Sequence, residues 1–232
     1  MEQSPGLFEE ALGETVDTVR RLPRSLWALV RRPGSLSRAW VDGTRGTLYL
    51  PPVRLFLAVA VVFFVAGPWI GGRDHMAARF VDGMVSGVSE GWSVQTEGRA
   101  PTSLPGLKIN TWWLEFVDSH FEGILLVILL PVFTLLLYGA RGWKGRPSEY
   151  GVLAFDCHAF GLLVALLFLP FGAVLGKAGL AAETALIVGY LAMAIRHMYG
   201  ESWRTVLGQS VAVTYAYALV TLGLGLALAY FG

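Results

Sequence analysis

Asp156, Cys157 and His158 are consecutive and carry the side chains in this sequence best suited to chemistry. They lie in YGVLAFDCHAFGLLVALLFLP, a segment whose remainder is almost wholly apolar. A carboxylate, a thiol and an imidazole are three kinds of metal donor, and the acid and the imidazole can each pass a proton. Helical geometry separates them. Positions two apart on an α-helix differ by about 200° around the axis, so Asp156 and His158 point to opposite sides and share an ion only where the helix unwinds. Asp156 shares a face instead with Glu149, seven residues earlier. Cys157 is the single cysteine, which excludes an intramolecular disulfide and a cysteine-based zinc ribbon. The expectation is no metal site and no cofactor. Asp156 is expected in a structural ion pair and His158 held by hydrogen bonds, with a proton or substrate relay as the alternative.

The elements that position these groups follow from the distribution of charge. The 232 residues are 54% hydrophobic and only 15% charged, against about 25% charged in an ordinary soluble domain. Arg54 and Arg73 are separated by 18 uncharged residues, and Glu122 and Arg141 by another 18. From Cys157 to Gly176 there are 20, and from Thr205 to Gly232 there are 28. Runs of about 18 to 20 suit a helix crossing roughly 30 Å of hydrocarbon at about 1.5 Å per residue. Ala178 to Ile195 makes a fifth run, interrupted by Glu183. The pattern predicts an all-α polytopic membrane protein. Its transmembrane domain, residues 53–232, is expected to be a bundle of about five transmembrane helices at 53–71, 122–140, 151–176, 179–196 and 207–230. Residues 1–52 form an amphipathic, arginine-rich N-terminal arm, and 72–121 a loop on the far side.

Basic residues set the threading. Eight arginines lie at or before Arg54, and Arg141, Lys144, Arg146, Arg196 and Arg204 fall in the second-to-third and fourth-to-fifth connections. Arg73, Arg79, Arg99, Lys108 and Lys177 remain for the other side. The positive-inside rule then puts the arm in the cytoplasm and, with five spans, the C-terminus outside. No short apolar core with a cleavage site precedes residue 53, so the first span is expected to act as its own insertion signal. Fifteen arginines against three lysines point to a GC-rich genome, hence to a bacterial inner (cytoplasmic) membrane. In this threading Asp156 lies six residues in from Tyr150, roughly 9 Å along the helix. An exposed carboxylate there is costly, so it should face protein or a watery cleft. Arg54, Arg196, His197 and Arg204 lie at the same level and are its expected partners.

The arm has its own pattern. Leu7, Phe8, Ala11, Leu12, Thr15, Val16 and Val19 recur at helical spacing, and Arg20 and Arg21 close a segment that acids open, as the helix dipole favours. Pro23 and Pro33-Gly34 break it into shorter pieces. Trp27 and Trp40 fall among Arg24, Arg31, Arg32 and Arg38. Beside a membrane span, that mixture fits the headgroups of an anionic cytoplasmic leaflet better than nucleic acid. In the far loop Met76, Phe80, Met84 and Val88 repeat every four residues as a short interfacial helix, and Trp112 and Trp113 stand where an aromatic belt would place them. Tyr190, Tyr215 and Tyr217 either hydrogen-bond between helices or mark a cavity, with structural packing the plainer expectation, and Pro131 and Pro170 are expected to kink their spans. In the last span Gly208, Ala212 and Ala216 are four apart, as are Gly223 with Ala227 and Gly225 with Ala229. Such spacing lets helix backbones approach closely. Packing within the bundle is the plainer reading, and a homo-oligomer or protein-partner face is the alternative.

Three blocks together resemble a bacterial inner-membrane family of unknown function related to Yip-domain five-span membrane proteins. RRPGSLSRAWVDGTRGTLYLPPVRLFL resembles its pre-membrane block through Arg32-Pro33-Gly34, Gly43-Thr44-Arg45 and Tyr49-Leu50-Pro51-Pro52. EYGVLAFDCHAF resembles its third-span block, which typically bears several histidines; here His158 alone matches, with Tyr150 and Asp156 where histidine is common. YLAMAIRHMYGESW resembles the block closing the fourth span. Over roughly residues 25–220 the resemblance implies a five-span bundle with a cytoplasmic N-terminus. Some members carry an N-terminal zinc ribbon, which this single-cysteine chain lacks, and the missing histidines count against a metal site. The family's activity is unknown, so the resemblance implies no reaction.

The expected function is a non-enzymatic membrane scaffold or accessory subunit of a membrane complex, holding anionic lipids with its arm and partners with its small-residue faces. A small transporter or channel, with Asp156, His158 and His197 lining a polar cavity, is the alternative. An intramembrane enzyme comes third. The sequence has no serine-centred glycine elbow, no paired-histidine zinc helix and no phosphate-cradling glycine loop followed by lysine.

Overall fold

The computed structural model describes residues 7–44, 48–71 and 128–231, and the regular elements among them are all helical. In chain order they are α1 (Leu7–Arg31), α2 (Ser35–Val41), α3 (Pro52–Gly71), α4 (Ile128–Ala140), α5 (Pro147–Phe168), α6 (Gly172–Tyr199) and α7 (Trp203–Phe231). The expected loop 72–121, with its interfacial helix and Trp112 and Trp113, lies outside the described residues.

Three stretches are long and apolar enough to cross a membrane: Pro147–Phe171, Ala178–Tyr199 and Trp203–Leu224. A helix that satisfies its own backbone groups is the form such runs must take where there is no water. The chain is an integral membrane protein. The apolar part of α3, Pro52–Gly67, and α4, Ile128–Ala140, are shorter. Among the described residues, then, three helices rather than the expected five meet the length and composition that crossing requires.

Span ends also differ from the sequence reading. The uncharged run predicts a third span continuing to residue 176, but α5 passes into a 3₁₀ turn at Leu169–Phe171. Pro170 lies in that turn, where its missing N–H and fixed φ end the helix rather than kink it. Gly176, at φ 48° and ψ −129°, then breaks the start of α6, so the next crossing stretch begins at Ala178. A side chain at that backbone conformation would be strained, which is why glycine suits it.

The core takes in part of the arm. Ala28, Leu29, Leu36 and Leu50 are buried in one cluster with Leu55 of α3, Tyr150 and Leu153 of α5, and Leu191 and Ile195 of α6. α3 packs on α5, α5 on α6, α6 on α7, and α2 lies against both α5 and α6. The Pro33-Gly34 turn makes this possible. Gly34 has φ 76°, and a Cβ there would stand 2.5 Å from the Ala194 carbonyl oxygen. Backbone thus meets backbone where α2 docks on α6, a fit that only glycine permits.

Leu50 is fixed from both sides. Its N–H donates to Ser25 Oγ (2.9 Å) and its carbonyl accepts from Trp40 Nε1 (3.3 Å), while Ser25 Oγ donates to the Arg21 carbonyl (3.0 Å). The connection from α2 to α3 is thereby pinned along α1. On the outside, Leu57, Val61 and Val65 of α3 and Leu207, Val211, Tyr215 and Leu219 of α7 are exposed at spacings of four. Each set forms one stripe on its helix, the side hydrocarbon would cover.

Candidate intramembrane polar site

Asp156 and His158 do point to opposite sides of α5. Asp156 is 1% exposed and faces α2, where the fully buried Ser37 donates its Oγ–H to Asp156 Oδ2 at 2.5 Å. Its other oxygen, Oδ1, has no hydrogen-bond partner among the described residues, and neither does the buried hydroxyl of Tyr190. Tyr190 is held instead by its ring, stacked on Phe160 with centroids 3.9 Å apart and planes 10° apart.

His158 faces α3, α4 and α7. Its Nδ1 lies 2.8 Å from the Ala154 carbonyl, which can only accept, so Nδ1 carries the proton. In the neutral ring Nε2 then accepts from the Tyr217 hydroxyl, also at 2.8 Å. Phe133 meets the imidazole at 5.0 Å and Phe56 at 6.5 Å, both edge-on, and Phe133 also meets Tyr217 at 5.1 Å. The Tyr217 carbonyl accepts from Thr221 Oγ1 at 2.8 Å. The ring is enclosed by aromatic side chains, and both its nitrogens are in use.

The basic partners expected for Asp156 are elsewhere. Arg54 stands exposed at the start of α3, and Arg204 is exposed near the start of α7. The Arg196 guanidinium lies 4.3 Å from the Trp203 ring centre. His197 contributes its backbone carbonyl, which accepts from Arg38 Nη1 at 3.0 Å. None of the four hydrogen-bonds to Asp156; α2 brings a hydroxyl to the place assigned to a cation. Among the described residues no three of His, Cys, Asp and Glu gather as a metal site would need.

The six residues expected at lipid headgroups divide. Arg24, Trp27, Arg31 and Arg32 line one groove with Ala28 and Tyr49. Arg38 and Trp40 are engaged by the bundle through the His197 and Leu50 carbonyls. The small-residue face of α7 also differs from the plainer expectation. Val206, Ser210, Val213 and Thr221 form the buried side of that helix, whereas Gly208 and Ala212 are exposed.

Sequence reasoning missed two features. Ser37 carries no local sign that separates it from Ser35; only the packing of α2 on α5 selects it. The second is a cluster at the loop between α4 and α5. Arg141 is ion-paired with Glu201 at 2.8 Å and lies 3.6 Å over the Tyr199 ring, which stacks on Tyr150 at 5.6 Å. Tyr150 Oη donates to the Lys144 carbonyl, and Tyr138 packs on both Tyr150 and Trp143. Trp143 takes a left-handed φ of 62°, uncommon for a bulky residue. Its N–H is held by the Tyr138 carbonyl at 3.0 Å. The aromatic residues flanking Arg141 were the available signal.

Residues 20–64 match the model of a family described as a protein of unknown function (DUF3667). No curated protein and no solved structure matches the chain. The matched stretch contains the end of α1, α2 and most of α3, and thus Ser37 and the arginine groove, but stops well before Asp156 and His158.

Proposed function

We propose that the chain is a five-span protein of a bacterial inner membrane, with its arm in the cytoplasm, serving as a non-enzymatic scaffold or accessory subunit of a membrane complex. The observation that carries this reading is the outward face of α7. Gly208 and Ala212 are exposed there, and a Cβ added to Gly208 would meet nothing within 4 Å. Each follows an exposed apolar residue, Leu207 and Val211, and these small residues leave backbone open to a neighbouring helix, the feature that promotes helix association in membranes. The closed environment of His158 supports a structural role for the most conspicuous titratable residue. Five spans draw support from α3, whose 20 residues extend about 30 Å, and from the uncharged run that leads into α4. The resemblance to the Yip-related family supports the same bundle.

Purification of the full chain from its own membrane in mild detergent tests the reading. The expected result is a stoichiometric complex, with itself or with one other membrane protein, that Gly208→Leu with Ala212→Leu disperses. A monomer, or a complex indifferent to both changes, would overturn it.

A small transporter or channel is the second reading, supported by the unpartnered Asp156 Oδ1 and Tyr190 Oη inside the bundle. Its mark would be solute flux into proteoliposomes, abolished by Asp156→Asn in a chain that remains folded.

A further inference from the structure

We infer that the groove beside the end of α1 binds the phosphate headgroup of one anionic glycerophospholipid. This rests on the reading above that the arm lies at the membrane surface. It goes beyond that reading by replacing a diffuse basic surface with a single site of defined stoichiometry.

The groove has about 510 Å³ of space and is lined by Arg24, Trp27, Ala28, Arg31, Arg32 and Tyr49. Ligand sites typically hold about 300 to 1,000 Å³. Spacings of three, four and seven put Arg24, Trp27, Ala28 and Arg31 on one face of α1. Tyr49 comes from the connection to α3, and that connection is tied to α1 through Ser25 and Leu50 and to α2 through Trp40. Both walls are therefore fixed before a ligand arrives.

Among the described residues the charge in the groove is uncompensated. Asp17 pairs with Arg21 and Asp42 with Arg38, but among the described residues Arg24, Arg31 and Arg32 have no carboxylate partner. Arg31 lies 5.0 Å over the Trp27 ring, which orients its guanidinium without neutralising it. Planar guanidinium groups bind two phosphate oxygens at once, a geometry that lysine cannot reproduce. Apolar surface lies in the groove beside this charge: Trp27 is 65% exposed, and Ala28 and the Tyr49 side chain line it as well. A free phosphate has no use for such a rim. A phospholipid places its glycerol and upper acyl carbons there, with its phosphate among the arginines.

Native mass spectrometry of the full chain tests the site, using phosphatidylglycerol, phosphatidylcholine and inorganic phosphate as separate probes. The expected result is one phosphatidylglycerol per chain, bound about tenfold or more tightly than phosphatidylcholine. Arg31→Gln should remove this preference, and the charge-preserving Arg31→Lys and Arg24→Lys should weaken it, while Arg204→Gln on α7 leaves it intact. Thermal unfolding in detergent identifies any variant that has simply lost its fold, and the second arginine serves in its place. Equal binding by the lysine variants, or equal loss with Arg204→Gln, would reduce the site to diffuse attraction. Inorganic phosphate that binds as tightly as the lipid would overturn the lipid assignment. Failure of the scaffold reading would show in the partner purification and leave the lipid count unchanged.

Discussion

Ser37 on α2 donates a hydrogen bond to Asp156 on α5 across 119 positions of sequence, and both residues are buried. This bond joins the segment before the first apolar run to the centre of the bundle. Removing one member leaves the other without its partner in a place water does not reach. Such an unsatisfied group costs about 1 to 3 kcal/mol. Ser37→Ala and Asp156→Ala should each lower the melting temperature in detergent, and Asp156→Asn, which keeps shape and an acceptor, should lower it less. The double variant should lose less than the sum of the single losses, because the two residues share one interaction. Cys157, the only cysteine and buried beside Asp156, offers a second readout. A membrane-permeant maleimide should label it faster in Ser37→Ala. Unchanged stability and labelling in all variants would mean that the bond holds nothing.

Gly34 tests the docking of α2 by a different route. Alanine there meets both the left-handed φ of 76° and the Ala194 carbonyl oxygen 2.5 Å from its Cβ. Neither can relax without moving backbone, and the dihedral alone costs about 1 to 3 kcal/mol. Gly34→Ala should therefore destabilise the bundle more than Gly43→Ala, where φ is 67° but nothing lies within 4 Å of the added Cβ. Comparing melting temperatures isolates the clash from the dihedral.

These two contacts also show what the sequence could convey. Charge-free runs and helical spacing are local properties, so the helical class and the opposed directions of Asp156 and His158 could be read directly. The arm could not be placed in the same way. Its arginines and tryptophans describe a surface, yet Leu29, Leu36 and Ser37 between them are buried by helices more than 100 positions later. Sequence pairs Asp156 with a cation because depth along a helix can be counted from it, whereas a short helix folding back over that level cannot. The face of α7 that turns inward likewise depends on its neighbours: Gly208 with Ala212 and Ser210 with Val213 are equally plausible inner faces until α6 is in place.

The Tyr217 hydroxyl is what His158 Nε2 meets on the far side of α5. Tyr217→Phe preserves the ring against Phe133 and removes only the donor, so its loss of stability isolates that bond at about 1 to 3 kcal/mol. His158→Ala also empties the space among Phe56, Phe133 and Tyr217 and should cost more. If His158 served transport, Tyr217→Phe would alter activity while stability stayed the same. The structural role requires the opposite, a fall in melting temperature with no change in any solute flux. Thermal unfolding and proteoliposome flux measured on one preparation separate the two.

Arg141 pairs with Glu201 at 2.8 Å, and Arg38 reaches the His197 carbonyl at 3.0 Å. The first contact joins the α4–α5 loop to the α6–α7 loop, and the second joins α2 to the end of α6. All three segments must therefore lie at one end of the bundle, and residues 1–54, to which α2 belongs, together with 141–146 and 196–204 hold 13 of the 18 basic residues. The positive-inside rule predicts that this end is cytoplasmic. Reporters inserted after Gly142 and after Glu201 should read cytoplasmic. A reporter after Gly98 decides the number of crossings, because it faces outside only if the apolar runs that contain α3 and α4 both span. A cytoplasmic reading at Gly98 would leave three spans, with α3 and α4 packed at the surface; an outside reading establishes five.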